Sequence, residues 1–195
     1  AYCLLALEAS VELTLGALAE ATGAVVVAAP AASDLEAIRA RAFREVAIDS
    51  RQVTAGDLFV ALPGARTDGA RFVGDAFVRG ALAVLTPEAP LLTPDLWAAR
   101  EALTATPTPF ATLLVADPLR ALQQAAGAWR ERHDRVTVVG VTGSLGKTTT
   151  REAIAGVLAA AAIPTLTSVR SYNNEIGLPL TLLRLERRQR AAVLE

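Results

Sequence analysis

The stretch from Val136 to Thr150, reading Val-Thr-Val-Val-Gly-Val-Thr-Gly-Ser-Leu-Gly-Lys-Thr-Thr-Thr, constrains the chain more than any other. An apolar, β-branched run ends at Gly140, a short glycine-containing turn follows, and Lys147 with three threonines leads into Arg151 to Ala162, a strongly helix-forming segment. Strand, glycine loop, lysine and hydroxyl, then helix is the order in which a chain builds a cradle for a polyphosphate. Gly143 and Gly146 let backbone N–H groups crowd the phosphates without a Cβ in the way. The helix N-terminus adds roughly half a unit of positive charge at the same spot. Lys147 is placed to neutralise the outer phosphates, and the Thr148 hydroxyl to ligate Mg²⁺. ATP and Mg²⁺ are the ligands expected here.

The loop is a variant of the usual pattern. Counting back from Gly146, the first glycine of G-x-x-x-x-G-K-[ST] belongs at position 141, where Val141 stands; glycines occupy 140 and 143 instead. A plain Gly-Ser turn with an exposed lysine is the alternative, and Gly-Lys-Thr-Thr at a strand-to-helix junction argues against it.

Hydrophobic residues make up 52% of the 195, enough for a real core, so the phosphate loop belongs to a folded α/β chain. Net charge is −1 and aromatics are 5%, which leaves neither the basic excess nor the stacking surface of a nucleic-acid binder. Arg184, Arg187, Arg188 and Arg190 cluster around Glu186 and read as a solvated helix end. Cys3 is the only cysteine, which excludes an internal disulfide or a cysteine metal site. No apolar run approaches the ~20 residues of a membrane span. Glu8 and Glu12 interrupt the first apolar residues and no basic segment precedes them, so a signal peptide is not expected. Cytoplasmic location follows as the expectation, with no membrane and no obligate protein partner. The first residue is Ala1 rather than Met, and a missing start is expected.

In chain order, Val11 to Gly23 reads as a short helix capped by Thr14 and closed by Gly23. Val46 to Ile48 reads as a buried strand running into Asp49-Ser50-Arg51, and Leu58 to Leu62 as a second strand. Asp68 caps a helix whose stripe is Phe72, Val73, Ala76 and Phe77. Ala81 to Leu85 follows as a strand, suggesting a βαβ crossover. Pro87 to Pro109 holds five of the ten prolines and reads as surface decoration around a short helical piece at Trp97. Ala111 to Val115 is a strand. Asp117-Pro118 then starts a helix with Leu119, Leu122, Ala126 and Trp129 on one face. The charged run Arg130 to Arg135 ends that helix as a domain boundary, with His133 an exposed linker residue. Pro164 stops the helix after the loop, Thr165 to Ser168 is a short strand, and Glu175 to Leu185 is helical. Ala191 to Leu194 is an apolar strand ending on Glu195. A carboxylate at the end of a strand beside a phosphate loop suits the acidic partner of Mg²⁺. Taken by themselves, these residues equally allow a tail that happens to end in Glu.

Three segments in this order resemble the Mur ligase family. Ala47-Ile48-Asp49-Ser50-Arg51, continued by Ala55 to Gly64 and Thr67-Asp68-Gly69, is similar to that family's N-terminal UDP-binding domain. Val141 to Thr150 is similar to its phosphate loop, which also lacks the strict first glycine. Asn173-Asn174-Glu175-Ile176-Gly177-Leu178-Pro179-Leu180-Thr181-Leu182-Leu183 resembles the segment that marks the D-alanyl-D-alanine-adding member. The resemblance covers roughly residues 13 to 195.

It implies an α/β chain with residues 1–112 as a small UDP-precursor-binding domain. Residues 113–195 would then be a connecting helix and the first half of a truncated, mostly parallel phosphate-loop ATPase domain. It implies an ATP-dependent amide-forming ligase whose partners are a UDP-N-acetylmuramoyl-peptide and D-alanyl-D-alanine, joined through an acyl phosphate. It implies Lys147 and Glu195 as catalytic, Thr148 and Glu195 on Mg²⁺, and nucleotide contacts from Thr142, Gly143, Ser144, Leu145, Gly146, Lys147, Thr148 and Thr149. By the same resemblance Asp49, Ser50 and Arg51 hold the UDP-sugar, and Asn173 and Asn174 lie near substrate. An Asx turn at Asp49 and a helix cap at Asn173-Asn174 are the ordinary alternatives. Leu145 and Arg170-Ser171 depart from the family pattern without removing a charged group. The family has three domains, so a chain ending at Glu195 is expected to lack its carbamylated lysine and C-terminal domain, to leave a sheet edge unpaired, and not to complete ligation alone. The related ligase adding the third peptide residue and a non-catalytic UDP-sugar or nucleotide-binding module are the rival expectations.

Overall fold

A computed structural model describes residues 13–29, 34–64, 67–103, 110–168 and 174–195. The chain divides into two compact units, Ala1–Ala121 and Leu122–Glu195.

The first unit runs α1 (Leu15–Thr22), β1 (Val25–Ala29), α2 (Leu35–Arg39), β2 (Val46–Ala47), β3 (Leu58–Val60), α3 (Val73–Val78), β4 (Ala83–Thr86), α4 (Pro94–Leu103) and β5 (Phe110–Leu114). The sheet order is β1-β5-β4-β3-β2, parallel throughout except that β1 runs antiparallel to β5. The interior strands β3 and β4 are buried at every residue, as expected for parallel strands covered on both faces. Their register sets Phe59 beside Val84 and Val84 beside Thr112. At the β1 edge burial relaxes and Val25 and Val27 face solvent.

Local chemistry starts and stops these elements as expected. The Thr14 hydroxyl accepts from the Ala17 N–H at 3.2 Å, and Gly23 closes α1 at φ 68°, a left-handed conformation suited to glycine. Asp68 accepts from the Ala70 N–H at 3.0 Å and caps a 3₁₀ turn that runs directly into α3. Asp117 accepts from the Leu119 and Arg120 N–H groups, both at 3.0 Å, at the head of α5 (Pro118–Glu131), the helix within which the division between the units falls.

Three expectations for this unit need correction. Pro87 to Pro109 is not only surface decoration. Within it α4 packs on α3, the Trp97 ring meets Phe77 edge-on at 4.8 Å, and Arg100 is 1% exposed. The helical piece expected at Trp97 is α4, but an aromatic cluster of Phe77, Phe110 and Trp97 draws it in rather than leaving it as decoration. Phe72 leaves the predicted stripe and is exposed, because it lies in the 3₁₀ turn, where the helical phase does not yet hold. β2 is half-buried rather than buried, since it is the sheet's edge.

The second unit continues from α5 with β6 (Thr137–Gly140), α6 (Lys147–Ala160), β7 (Thr165–Thr167), α7 (Gly177–Leu182) and β8 (Ala191–Leu194). Its sheet is all parallel, ordered β6-β8-β7. β8 is central and fully buried; β6 and β7 each have one strand partner among the described residues. His133 is buried, not an exposed linker. Its ring packs at a tilt against Trp129, with centroids 4.5 Å apart, and its Nδ1–H donates to the Trp129 carbonyl at 2.8 Å. The charged run that suggested exposure instead closes α5, with the Arg130 guanidinium donating to the carbonyls of His133 and Val136. Arg184, Arg187, Arg188 and Arg190 are solvent-exposed. Among the described residues no helix is long and apolar enough to cross a membrane.

Candidate active site

The site in the second unit is assembled by strand register. Gly140 at the end of β6 pairs with Leu194 at the end of β8, and the Val141 N–H donates to the Leu194 carbonyl at 2.8 Å. The phosphate loop and Glu195 therefore leave neighbouring parallel strands at their carboxyl ends, where open α/β sheets place ligands. Gly143 at φ 152° and Gly146 at φ 75° hold backbone conformations that side chains resist. Gly146 is the N-cap of α6 and supplies no side-chain acceptor, so the first-turn N–H groups stay available to an anion.

Lys147 lies over its own loop, its Nζ donating to the Gly143 carbonyl at 2.8 Å. The Thr148 hydroxyl donates to Glu195 Oε2 at 3.0 Å across 47 residues of sequence. Thr142, Ser144, Leu145 and Thr149 are exposed around the loop, Leu145 at 91%. The structure thus brings together Lys147, Thr148 and Glu195 from separated parts of the chain. Every oxygen donor meeting there is hard. Among the described residues no three His, Cys, Asp or Glu side chains are grouped to hold a metal by themselves. A hydroxyl beside one carboxylate fits Mg²⁺, which keeps several waters and takes further oxygens from phosphates.

One residue of this cluster escaped the sequence reading. Arg151 is 6% exposed, with its Nη1 3.6 Å from Glu195 Oε2 and 3.5 Å from the Ser168 hydroxyl. Its Nη2 lies 3.5 Å from Glu152 Oε1 on the exposed side. The available signal was helical spacing: position 151 is three beyond Thr148 and shares its face of α6.

The other expected residues lie apart from this cluster in sequence and pair locally. In the first unit Asp49 accepts from the Arg51 backbone N–H at 3.0 Å, forming an Asx turn, and from Arg51 Nη2 at 2.7 Å. The Arg51 hydrogen bond is the main cause that pulls the Asp49 carboxyl down to about 2, and the same bond raises the Arg51 guanidinium. Ser50 between them is buried. In the second unit Asn174 Oδ1 accepts from the Ile176 and Gly177 N–H groups at 3.2 and 2.8 Å in the turn that leads into α7. Asn173 lies outside the described residues.

Comparison with known proteins gives these features relatives. The model of the Mur ligase family catalytic domain matches residues 42–129, and that of the Mur ligase middle domain matches residues 141–195. A Synechocystis protein named UDP-N-acetylmuramoyl-tripeptide--D-alanyl-D-alanine ligase is 41% identical over 150 residues, covering 77% of this chain and 30% of its own length. A Mycobacterium tuberculosis protein of the same name is 35% identical over 194 residues, covering 95% of this chain and 36% of its own length. Among solved structures, MurF from Acinetobacter baumannii aligns with TM-score 0.74 and 30% identity, over 93% of this chain and 35% of that one. MurF ligase from Thermotoga maritima in complex with ADP aligns with TM-score 0.60 and 31% identity, over 77% of this chain and 31% of that one. The chain spans about a third of the length of these relatives. With two of the family's domain models matched in succession, and with a fold shared with its solved members, the chain belongs to the Mur ligase family.

Proposed function

We propose that the full-length protein is an ATP-dependent amide-forming ligase of peptidoglycan precursor synthesis, acting in the cytoplasm and adding D-alanyl-D-alanine to UDP-N-acetylmuramoyl-tripeptide. The observation that carries this reading is the meeting of Thr148 with Glu195, at 3.0 Å, beside a loop bearing Lys147. The names of the relatives and the ADP in the Thermotoga maritima structure support it. Residues 1–112 would bind the UDP-precursor, with Asp49, Ser50 and Arg51 on the UDP-sugar. Residues 113–195 would carry the connecting helix and the nucleotide site, with Asn173 and Asn174 near substrate.

The chemistry asked of these residues is charge management. A carboxylate is a poor acyl donor. Its oxygen attacks the γ-phosphorus of ATP, the bond to ADP breaks, and the resulting acyl phosphate carries a good leaving group. The amine of D-alanyl-D-alanine then attacks the carbonyl carbon, loses a proton and expels phosphate. The first step brings two anions together. Lys147, released from the Gly143 carbonyl, would meet the β- and γ-phosphates, and the Gly143 to Gly146 backbone with Thr142 and Thr149 would hold them. Thr148 and Glu195 would hold Mg²⁺, which when bound screens the phosphate charge.

The test is phosphate release by the full-length protein supplied with ATP, the UDP-tripeptide precursor and D-alanyl-D-alanine. Release with that pair, lost by a factor of about a thousand or more in a folded Lys147→Ala variant, is the expected outcome. Release only with a dipeptide precursor and a diamino acid would identify the third-residue ligase instead. Near-normal turnover in Lys147→Ala would remove the loop from the mechanism.

A further inference from the structure

Arg151 is the feature of the site that phosphate binding does not call for. It is 6% exposed, and its guanidinium meets the equally buried Glu195 side chain while the loop residues Thr142 to Gly146 are exposed. Its Nη1 reaches the same oxygen, Glu195 Oε2, that accepts from the Thr148 hydroxyl, at 3.6 Å against 3.0 Å. The carboxylate proposed to hold Mg²⁺ is thus already faced by one buried cation, and Lys147 supplies a second positive charge at the loop.

We propose that Arg151 is a positioning residue, acting through Glu195, that makes metal binding depend on bound nucleotide. With no phosphates present, a divalent cation would meet one carboxylate already faced by Arg151, one hydroxyl, and the repulsion of Arg151 and Lys147, with Glu152 offsetting Arg151 only from the exposed side. That is a poor site, because a single carboxylate so faced offers little against the cost of stripping waters from a small divalent ion. Bound phosphates reverse the local balance by adding several negative charges and further oxygen ligands. The geometry separates charge from orientation. Glu195 is anchored by β8 and by the Thr148 hydroxyl, so an amide in place of the guanidinium removes the charge and leaves the carboxylate where it is. This inference rests on the nucleotide site proposed above.

The experiment titrates the full-length protein with Mn²⁺ alone, with ADP alone, and with Mn²⁺ in the presence of ADP, reading free Mn²⁺ by electron paramagnetic resonance and ADP by calorimetry. The wild type is expected to bind Mn²⁺ at least tenfold more tightly once ADP is bound, after correction for the Mn²⁺ that ADP holds in solution. Arg151→Gln is expected to bind Mn²⁺ alone about tenfold more tightly than the wild type, and Arg151→Lys to behave like the wild type. Arg151→Gln binding Mn²⁺ alone no better than the wild type, or worse, would overturn the proposal. So would a wild type whose Mn²⁺ affinity is the same with and without ADP, a result that needs no variant to fold. ADP failing to bind the wild type at all would instead remove the nucleotide site itself, and this inference with it.

Discussion

Two buried arginines, one in each unit, show how the same side chain can serve fold or site. Arg100 donates to the main-chain carbonyls of Phe77 and Ala81, with the Ala81 bond at 3.1 Å, and its guanidinium lies 4.7 Å from the centre of the Phe77 ring. Burial and the nearby charge of Arg41 lower it to about 10, so it stays charged at neutral pH. It closes the C-terminal end of α3 and ties α4 to it. Arg151 is buried almost as deeply, yet it faces the carboxylate that leaves the central strand beside the phosphate loop. A buried cation spent on backbone carbonyls stabilises an element; one spent on a site carboxylate sets what that carboxylate can bind.

That contrast can be broken by substitution. Arg100→Ala leaves two buried carbonyls without these donors and opens space among the aromatic rings. A loss of about 3 kcal/mol is expected in denaturant unfolding, with ADP affinity unchanged. A tenfold weaker ADP affinity in a still-folded Arg100→Ala protein would erase the distinction. Arg151→Gln is expected to cost about 1 kcal/mol in the same unfolding measurement, since its ion pair is long at 3.6 Å and Gln keeps a donor. The smallest stability effect belongs to the exposed pair at Asp49 and Arg51. Arg51→Ala is expected to leave thermal unfolding unmoved and to raise KM for the UDP-precursor about tenfold with kcat unchanged, the mark of lost uniform binding. The Asp49 carboxyl is lowered to about 2, so whatever the pair contributes is fully present above the ordinary carboxylate range and lost only as pH falls through about 2. KM for the precursor should therefore show no step from this pair between pH 5 and 8.

What could be read from the residues was mostly local. Thr14, Asp68, Asp117 and Asn174 cap turns within two or three residues of themselves, so short-range chemistry was enough to find them. The loop was legible for the same reason, its lysine bonding a carbonyl four residues back. Glu195 stood open on the residues alone because its partner is 47 positions away, and only the register of β6 with β8 brings them together. Arg100 and Arg151 draw no attention in the sequence, and His133 reads there as an exposed linker, because a charged or polar residue is expected at the surface. Each is buried by what packs on it: aromatic rings for Arg100, Trp129 for His133, and the strand bearing Glu195 for Arg151. Such burial is decided by tertiary neighbours and leaves little trace in hydropathy. The Pro-rich stretch around α4 misled for the opposite reason, since its composition marked surface decoration while Arg100 is buried and Trp97 packs against the core.

The central claim is that Thr148 and Glu195, far apart in sequence, form one metal-binding unit at the phosphate loop. A double-mutant cycle tests it most directly. Mn²⁺ affinity of the ADP-bound full-length protein would be measured for the wild type, Thr148→Val, Glu195→Gln and the double variant. If the two residues form one site, each single change should remove most of the affinity, and the double should be no more than about twofold worse than the poorer single. Losses that simply multiply, or a Glu195→Gln protein that binds Mn²⁺ as the wild type does, would contradict the account.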